Sequence, residues 1–145
     1  MTLIGTVRPR TAAGWTIAVF GAMAALFGLV GLVWPDAVLA GLGFETVAAD
    51  RRAAGDYTRV FLASSSMASL NMGVYYLVAT YTEWRPFFRF TVPFRLLTLV
   101  VFSTLVLLDV APGRFFAVAA WEGIGALATG IALWWDRRHR VSSNP

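Results

Sequence analysis

Two ionisable residues interrupt stretches that are otherwise apolar, and they are where this chain could first do chemistry. Arg95 lies nine residues after Pro86, and Glu122 eight residues after Arg114. Set in helices rising about 1.5 Å per residue, Arg95 falls ~13 Å into one segment and Glu122 ~12 Å from the opposite end of the next. Antiparallel neighbours crossing an apolar layer of ~30 Å would bring the two to within ~5 Å in depth, inside the reach of two long side chains. An unpaired charge at that depth costs roughly 2.5–3.5 kcal/mol, so each needs a partner or water.

Three arrangements answer that need. The two residues form an ion pair that pins their helices together; or Arg95 snorkels to the headgroups while Glu122 carries a proton; or both join Asn71 in a polar centre that binds an amphipathic headgroup or passes a proton or solute. Asn71 belongs to a stripe with Ser64 and Tyr75, and a mid-layer asparagine must hydrogen-bond to another helix, to water or to a ligand. Trp121 stands mid-segment, unlike the other tryptophans, and with Tyr75 would wall such a centre.

Composition rules out most other chemistry. The 145 residues include no cysteine and one histidine, His139, in a charged tail. Disulfides, thiolate metal sites, thiol catalysis and bis-histidine haem ligation within one chain are thereby excluded. No phosphate loop, dinucleotide fingerprint or histidine metal motif is present, so neither a metal nor a cofactor is expected. All twelve basic residues are arginines and the net charge is +4. They are scattered along the chain without a basic aromatic surface, so nucleic acid is not an expected partner.

With 58% apolar and 14% charged residues, the chain reads as a membrane protein with the bilayer as its first partner. Four runs are long enough to cross: 14–34, 59–82, 86–109 and 114–135. The first has no charge and is framed by Trp15 and Trp34, as suits the two headgroup layers. A cleaved signal peptide is its rival, but the run is too long and Trp34-Pro35-Asp36 is no cleavage site. The second is polar at its centre, through Ser64, Ser65, Ser66, Ser69 and Asn71. The third opens at Pro86, suited to a first helical turn. The fourth ends at Asp136-Arg-Arg-His-Arg140 and leads into a tail, 136–145, whose last residues read as disordered.

The expected fold is therefore a single all-α domain, 1–145, a four-transmembrane-helix bundle. Between the first two runs, Pro35 to Phe44 is too short to cross and should lie along the surface. Thr46 to Ala54 should form a short interfacial helix, with acids early and arginines late in the order that complements a helix dipole. Its functional alternative is a lid or docking surface.

Excluding Arg95, Arg8, Arg10, Arg85, Arg89, Arg137, Arg138 and Arg140 would share one side, against Arg51, Arg52, Arg59 and Arg114 on the other. That asymmetry places both termini in the cytoplasm. Arginine-only basic usage and abundant alanine suggest a GC-rich bacterial source, and so a multi-pass protein of the inner membrane.

Small residues recur at helical spacing. Gly14, Gly21 and Gly28 are seven apart; Ser65, Ser69 and Gly73 form a small-xxx-small ridge; Ala126 and Gly130 continue the last run. Such faces let helices approach closely. They point to a non-catalytic accessory or assembly subunit that packs against itself as a homo-oligomer or against a larger membrane complex. The alternative is a binder or transporter of a lipid- or quinone-like amphipathic molecule through Arg95, Glu122 and Asn71. An enzyme acting on a lipid-soluble substrate comes third, because no nucleophile is identifiable.

The segment Gly28-Leu-Val-Gly-Leu-Val-Trp-Pro35 leading to Leu39-Ala-Gly-Leu-Gly43, Arg59 opening the second run, Asn71-Met-Gly-Val-Tyr75 within it, Arg95, and a Gly-rich last run together resemble the small bacterial four-span proteins of the DoxX-like kind and their relatives. The resemblance implies a four-helix fold. Some members are associated with membrane oxidoreductases or serve as accessory subunits, and the resemblance carries no catalytic residue to this chain.

Overall fold

The structure is a computed structural model that describes residues 9–141, so Arg8 and the end of the tail, 142–145, lie outside it. The elements are α1 (Ala12–Val33), α2 (Pro35–Gly41), a 3-10 turn (Ala49–Arg51), α3 (Thr58–Tyr81), α4 (Arg85–Leu107), a second 3-10 turn (Gly113–Phe115) and α5 (Phe116–Val141). No strand occurs among the described residues. Ala12–Val33, Arg85–Leu107 and Gly113–His139 are long and apolar enough to cross a membrane. Large apolar side chains such as Val19, Phe27, Leu97, Val100, Ile124 and Ile131 stand exposed on these helices, more apolar surface than a water-soluble monomer carries.

The start of α1 is unusually well satisfied. The first amides of a helix have no partner within it. Here Asp136 of α5 accepts hydrogen bonds from Ala12 N (3.1 Å) and Ala13 N (3.0 Å), and the Thr11 hydroxyl oxygen accepts one from Gly14 N (3.0 Å). Glu83, in the turn between α3 and α4, accepts from Arg10 N (2.7 Å) and from the Thr11 hydroxyl (2.9 Å). Two carboxylates thus meet the positive end of the α1 dipole. At the other end Trp34 leaves helical geometry (φ −130°, ψ 65°), as a residue before proline tends to do, and Pro35 opens α2.

The first loop differs from expectation. Its helix forms at Pro35–Gly41, where Leu39 finds burial, whereas Thr46 to Ala54 contains only the turn Ala49–Arg51. That stretch offers no buried side chain to hold a helix, and Gly55 with φ +94° turns the chain away. Asp36 pairs with Arg59 at 2.6 Å, linking α2 to the start of α3. Asp56 accepts from the hydroxyl (2.6 Å) and the amide (2.9 Å) of Thr58, hydrogen bonds that hold its carboxyl below the ordinary aspartate value. The last helix also runs further than expected: α5 continues through Asp136 to Val141, so the start of the presumed tail is helical.

Packing follows the small residues. α1 lies along α3 over much of its length and touches α5; α4 pairs with α5, whereas α3 and α4 touch little. A Cβ on Gly73 would meet Ala25 N at 2.5 Å and Gly21 O at 2.6 Å, and one on Gly28 would meet Leu70 N at 2.5 Å and Ser66 O at 2.6 Å. Ser69 Oγ donates to Ala24 O across this seam (2.9 Å). Gly21, Gly28, Ser69 and Gly73 therefore serve contacts within the chain. Ala126 is buried, and Gly130 faces Val92 of α4. Ser65 departs from expectation: it is exposed, and its hydroxyl donates back to Leu62 O (2.9 Å). Ser66, the next residue, is the buried one. The core of Ala13, Ile17, Phe20, Tyr76, Ala79, Phe88 and Ala132 fills the end of the bundle where α1 begins.

Candidate functional site

Arg95 sits at the inner edge of that core. Thr91, one turn before it, is also buried, which sets this face of α4 inward. Pro93 lies inside α4 two residues ahead of Arg95 and cannot donate to Arg89 O. Arg95 is 2% exposed, and its Cζ stands 3.3 Å from the centroid of the Phe20 ring and 5.1 Å from that of Tyr76. Trp121 stacks on the same Phe20 ring, centroids 4.8 Å apart. Gly125 makes the room: a Cβ there would collide with the Phe20 ring and come within 2.7 Å of Arg95 Nη1.

The acidic partner is Glu122, with Oε2 3.8 Å from Arg95 Nε. That is an ion pair without a hydrogen bond, since N–H···O bonds run to about 3.2 Å. Arg95 Nε, Nη1 and Nη2 are all buried without a hydrogen-bond acceptor among the described residues. A stack on an aromatic face contributes about 2 kcal/mol when desolvated, and a charge at 3.8 Å contributes further, but neither takes the place of an acceptor. Snorkelling is thereby corrected: the guanidinium is packed against Phe20 inside the bundle.

Beside the pair a cleft of about 270 Å³ is lined by Phe20 and Ala24 of α1, Ser69, Met72 and Tyr76 of α3, Phe94, Arg95 and Thr98 of α4, and Glu122 of α5. It lies at the seam where α3 and α4 touch little, backed by α1 and α5. The Glu122 side chain is 24% exposed.

Of the residues expected at a polar centre, the structure brings together Arg95 and Glu122, with Trp121 behind Phe20. Asn71 is half-buried and does not line the cleft. Ser64 and Tyr75 are exposed, and the Ser64 hydroxyl donates to Val60 O (2.9 Å). The aromatic that α3 turns toward the cleft is Tyr76. The small-residue ridge carried that signal: Tyr76 lies three residues after Gly73 and seven after Ser69, on their face, and Tyr75 does not. Phe20 lies four before Ala24, again on the seam, and no polar signal marked it.

An all-helical membrane protein with a cleft built around a buried arginine is the class that fold and site define. No family model, curated protein or solved structure matches the chain.

Proposed function

We propose that this chain is a four-span protein that binds an amphipathic, lipid-soluble small molecule in the Arg95 cleft. The observation that carries this is Arg95 itself: a buried guanidinium with no hydrogen-bond acceptor among the described residues, at a cleft between helices that barely touch. A purely structural ion pair gains most from hydrogen-bonded contact, and the 3.8 Å separation leaves that gain unmade. Native mass spectrometry of protein extracted from its own membrane tests it. The wild type should carry a small molecule that Arg95→Gln lacks; two equally empty samples would count against it.

Several features support α3 as the fourth span. It has 24 residues, comparable with the other long helices. Its exposed face carries Val60, Phe61, Val74, Leu77 and Val78, whereas Ser66, Ser69 and Gly73 turn toward α1. The exposed Ser64 and Ser65 hydroxyls bond to their own helix, which satisfies them without water. Arg10, Glu83 and Asp136 meet at one end of the bundle, which supports a common side for the start of α1 and the last turns of α5. The arginine asymmetry makes it the cytoplasmic end, of a bacterial inner membrane on our proposal. The DoxX-like kinship is part of the same proposal, supported by Trp34-Pro35 at the α1–α2 break and Arg59 at the head of α3.

Assembly as an accessory subunit is the second reading. The glycine faces that suggested it are occupied within the chain. What favours it now is an apolar groove between α4 and α5, where Val92, Leu96, Leu127, Ile131 and Trp134 flank Ala126 and Gly130.

A further inference from the structure

Resting on the cleft-binding reading, we propose that the ligand is a long-chain carboxylic acid whose carboxylate seats on Arg95 and whose proton passes to Glu122.

Charge balance selects the head. The site holds one cation and one anion, and a low-dielectric interior penalises any net charge added to it. A neutral acid arriving from the bilayer adds none. Its O–H bond breaks, a new O–H bond forms on a Glu122 carboxylate oxygen, and the resulting carboxylate replaces Glu122 as the anion beside Arg95. No electrons change hands and no co-reactant is needed. A phosphate monoester would bring about two negative charges against a single guanidinium.

Hydrogen bonding selects the same head. A guanidinium presents a planar fork of N–H donors that a carboxylate meets with two parallel bonds, whereas an alcohol or ketone offers a single oxygen. Arg95 Nε, Nη1 and Nη2 have no acceptor among the described residues, so a carboxylate that displaces Glu122 and takes the fork breaks no hydrogen bond already made by it. Glu122 is part-exposed to the cleft and accepts no hydrogen bond from any described residue, so swinging it away from Nε breaks none. It is placed to take a proton. Thr98 and Ser69 hydroxyls already donate to Phe94 O and Ala24 O, which keeps them from competing for the carboxylate as donors.

Size and surface select the tail. About 270 Å³ holds a head and the first carbons of a chain, below the roughly 300–1,000 Å³ of pockets that enclose a drug-sized ligand. The remainder must lie outside, and the lips of the cleft are Met72 and Phe94, both apolar and about half exposed. A single acyl chain leaving between α3 and α4 passes over these two side chains.

The test uses full-length protein in lipid nanodiscs titrated with oleic acid, with its isosteric alcohol oleyl alcohol, and with a neutral alkyl benzoquinone. The acid should bind at least about tenfold more tightly than the alcohol, and Arg95→Gln should lose at least about tenfold in acid affinity. Calorimetry in two buffers of different ionisation heat, at a pH where membrane-dissolved acid is protonated, should read no proton exchange for wild type. Glu122→Gln, unable to take the proton, should release one to buffer. Met72→Trp, which fills the mouth and leaves both members of the ion pair unchanged, should block the acid and covers the case in which Arg95→Gln fails to fold. Equal binding of acid and alcohol, or release of a proton by wild type, overturns the acid assignment. Binding of the quinone or alcohol without the acid overturns it and leaves the cleft reading standing; binding of none of the three overturns both.

Discussion

Arg95 lies over the ring of Phe20, Cζ to centroid 3.3 Å, and Trp121 stacks on that same ring at 4.8 Å. A cation from α4 and an indole from α5 are thereby joined through one side chain of α1. Gly125 is the position that permits it, because a Cβ there collides with the Phe20 ring and crowds Arg95 Nη1. Gly125→Ala should therefore displace the stack, at a cost of about 1–3 kcal/mol for overpacking. Phe20→Leu should remove up to about 2 kcal/mol of cation–π attraction and leave the arginine less fixed. Thermal unfolding in detergent, with tryptophan fluorescence reporting Trp121, checks both.

The α1–α3 seam makes a different prediction. At Gly73 an added methyl would meet backbone, Ala25 N and Gly21 O, and not the movable end of a side chain. Gly73→Ala should force the helices apart and lower stability by about 1–3 kcal/mol, with Gly73→Leu failing to accumulate as folded protein. Gly41, with nothing within 4 Å of an added Cβ, is the control, and Gly41→Ala should be neutral or slightly stabilising. If the seam served a partner instead, Gly73→Leu would fold as a monomer and lose only its assembly, which size-exclusion chromatography would show.

Asp136 closes the bundle at the end where α1 begins, by accepting from two amides of α1 across 124 and 123 residues of chain. Loss of a capping oxygen costs about 0.5–2 kcal/mol. Asp136→Asn keeps one acceptor and should cost less than Asp136→Ala. Hydrogen exchange at Ala12 and Ala13 should accelerate in both variants, while exchange in the middle of α3 stays slow.

How much of this was legible in the sequence depended on whether a residue's partner was set by helix geometry or by three-dimensional packing. Arg95 and Glu122 could be placed at similar depth from rise per residue and an antiparallel pairing alone, and they stand 3.8 Å apart. Gly21, Gly28 and Gly73 lie where α1 and α3 approach closely, and spacing could not name those two helices, because it gives a face and not a neighbour. Tyr75 and Ser64 were grouped with Asn71 on polarity, whereas the cleft side of α3 is chosen by packing on α1, which turns Ser69, Gly73 and Tyr76 inward. Phe20 was invisible because a phenylalanine in an apolar run carries no mark of the cation above it. The Asp136 cap was likewise hidden: a charge beside Trp134-Trp135 reads as a stop signal, and only the fold brings the start of α1 to it.

Whether α3 crosses the membrane has a direct answer, because the chain has no cysteine of its own to confuse a labelling experiment. Ala54 precedes α3 and Thr82 follows it, and both are exposed. If α3 spans, Ala54→Cys and Thr82→Cys lie on opposite sides. If both termini are cytoplasmic, as we propose, a membrane-impermeant maleimide applied to intact cells stripped of their outer membrane should label Ala54→Cys at once and Thr82→Cys only after permeabilisation. Labelling of both in intact cells, or of neither, would leave three crossing helices, α1, α4 and α5, and put the termini on opposite sides. In that case α3 would have to lie along one face, exposing Val60, Phe61 and Val78 to water, a cost of about 1.5–3 kcal/mol for each side chain left unburied. That cost is why opposite-side labelling is the expected result, and it would also place the mouth of the Arg95 cleft, between α3 and α4, within the apolar layer from which the proposed ligand would enter.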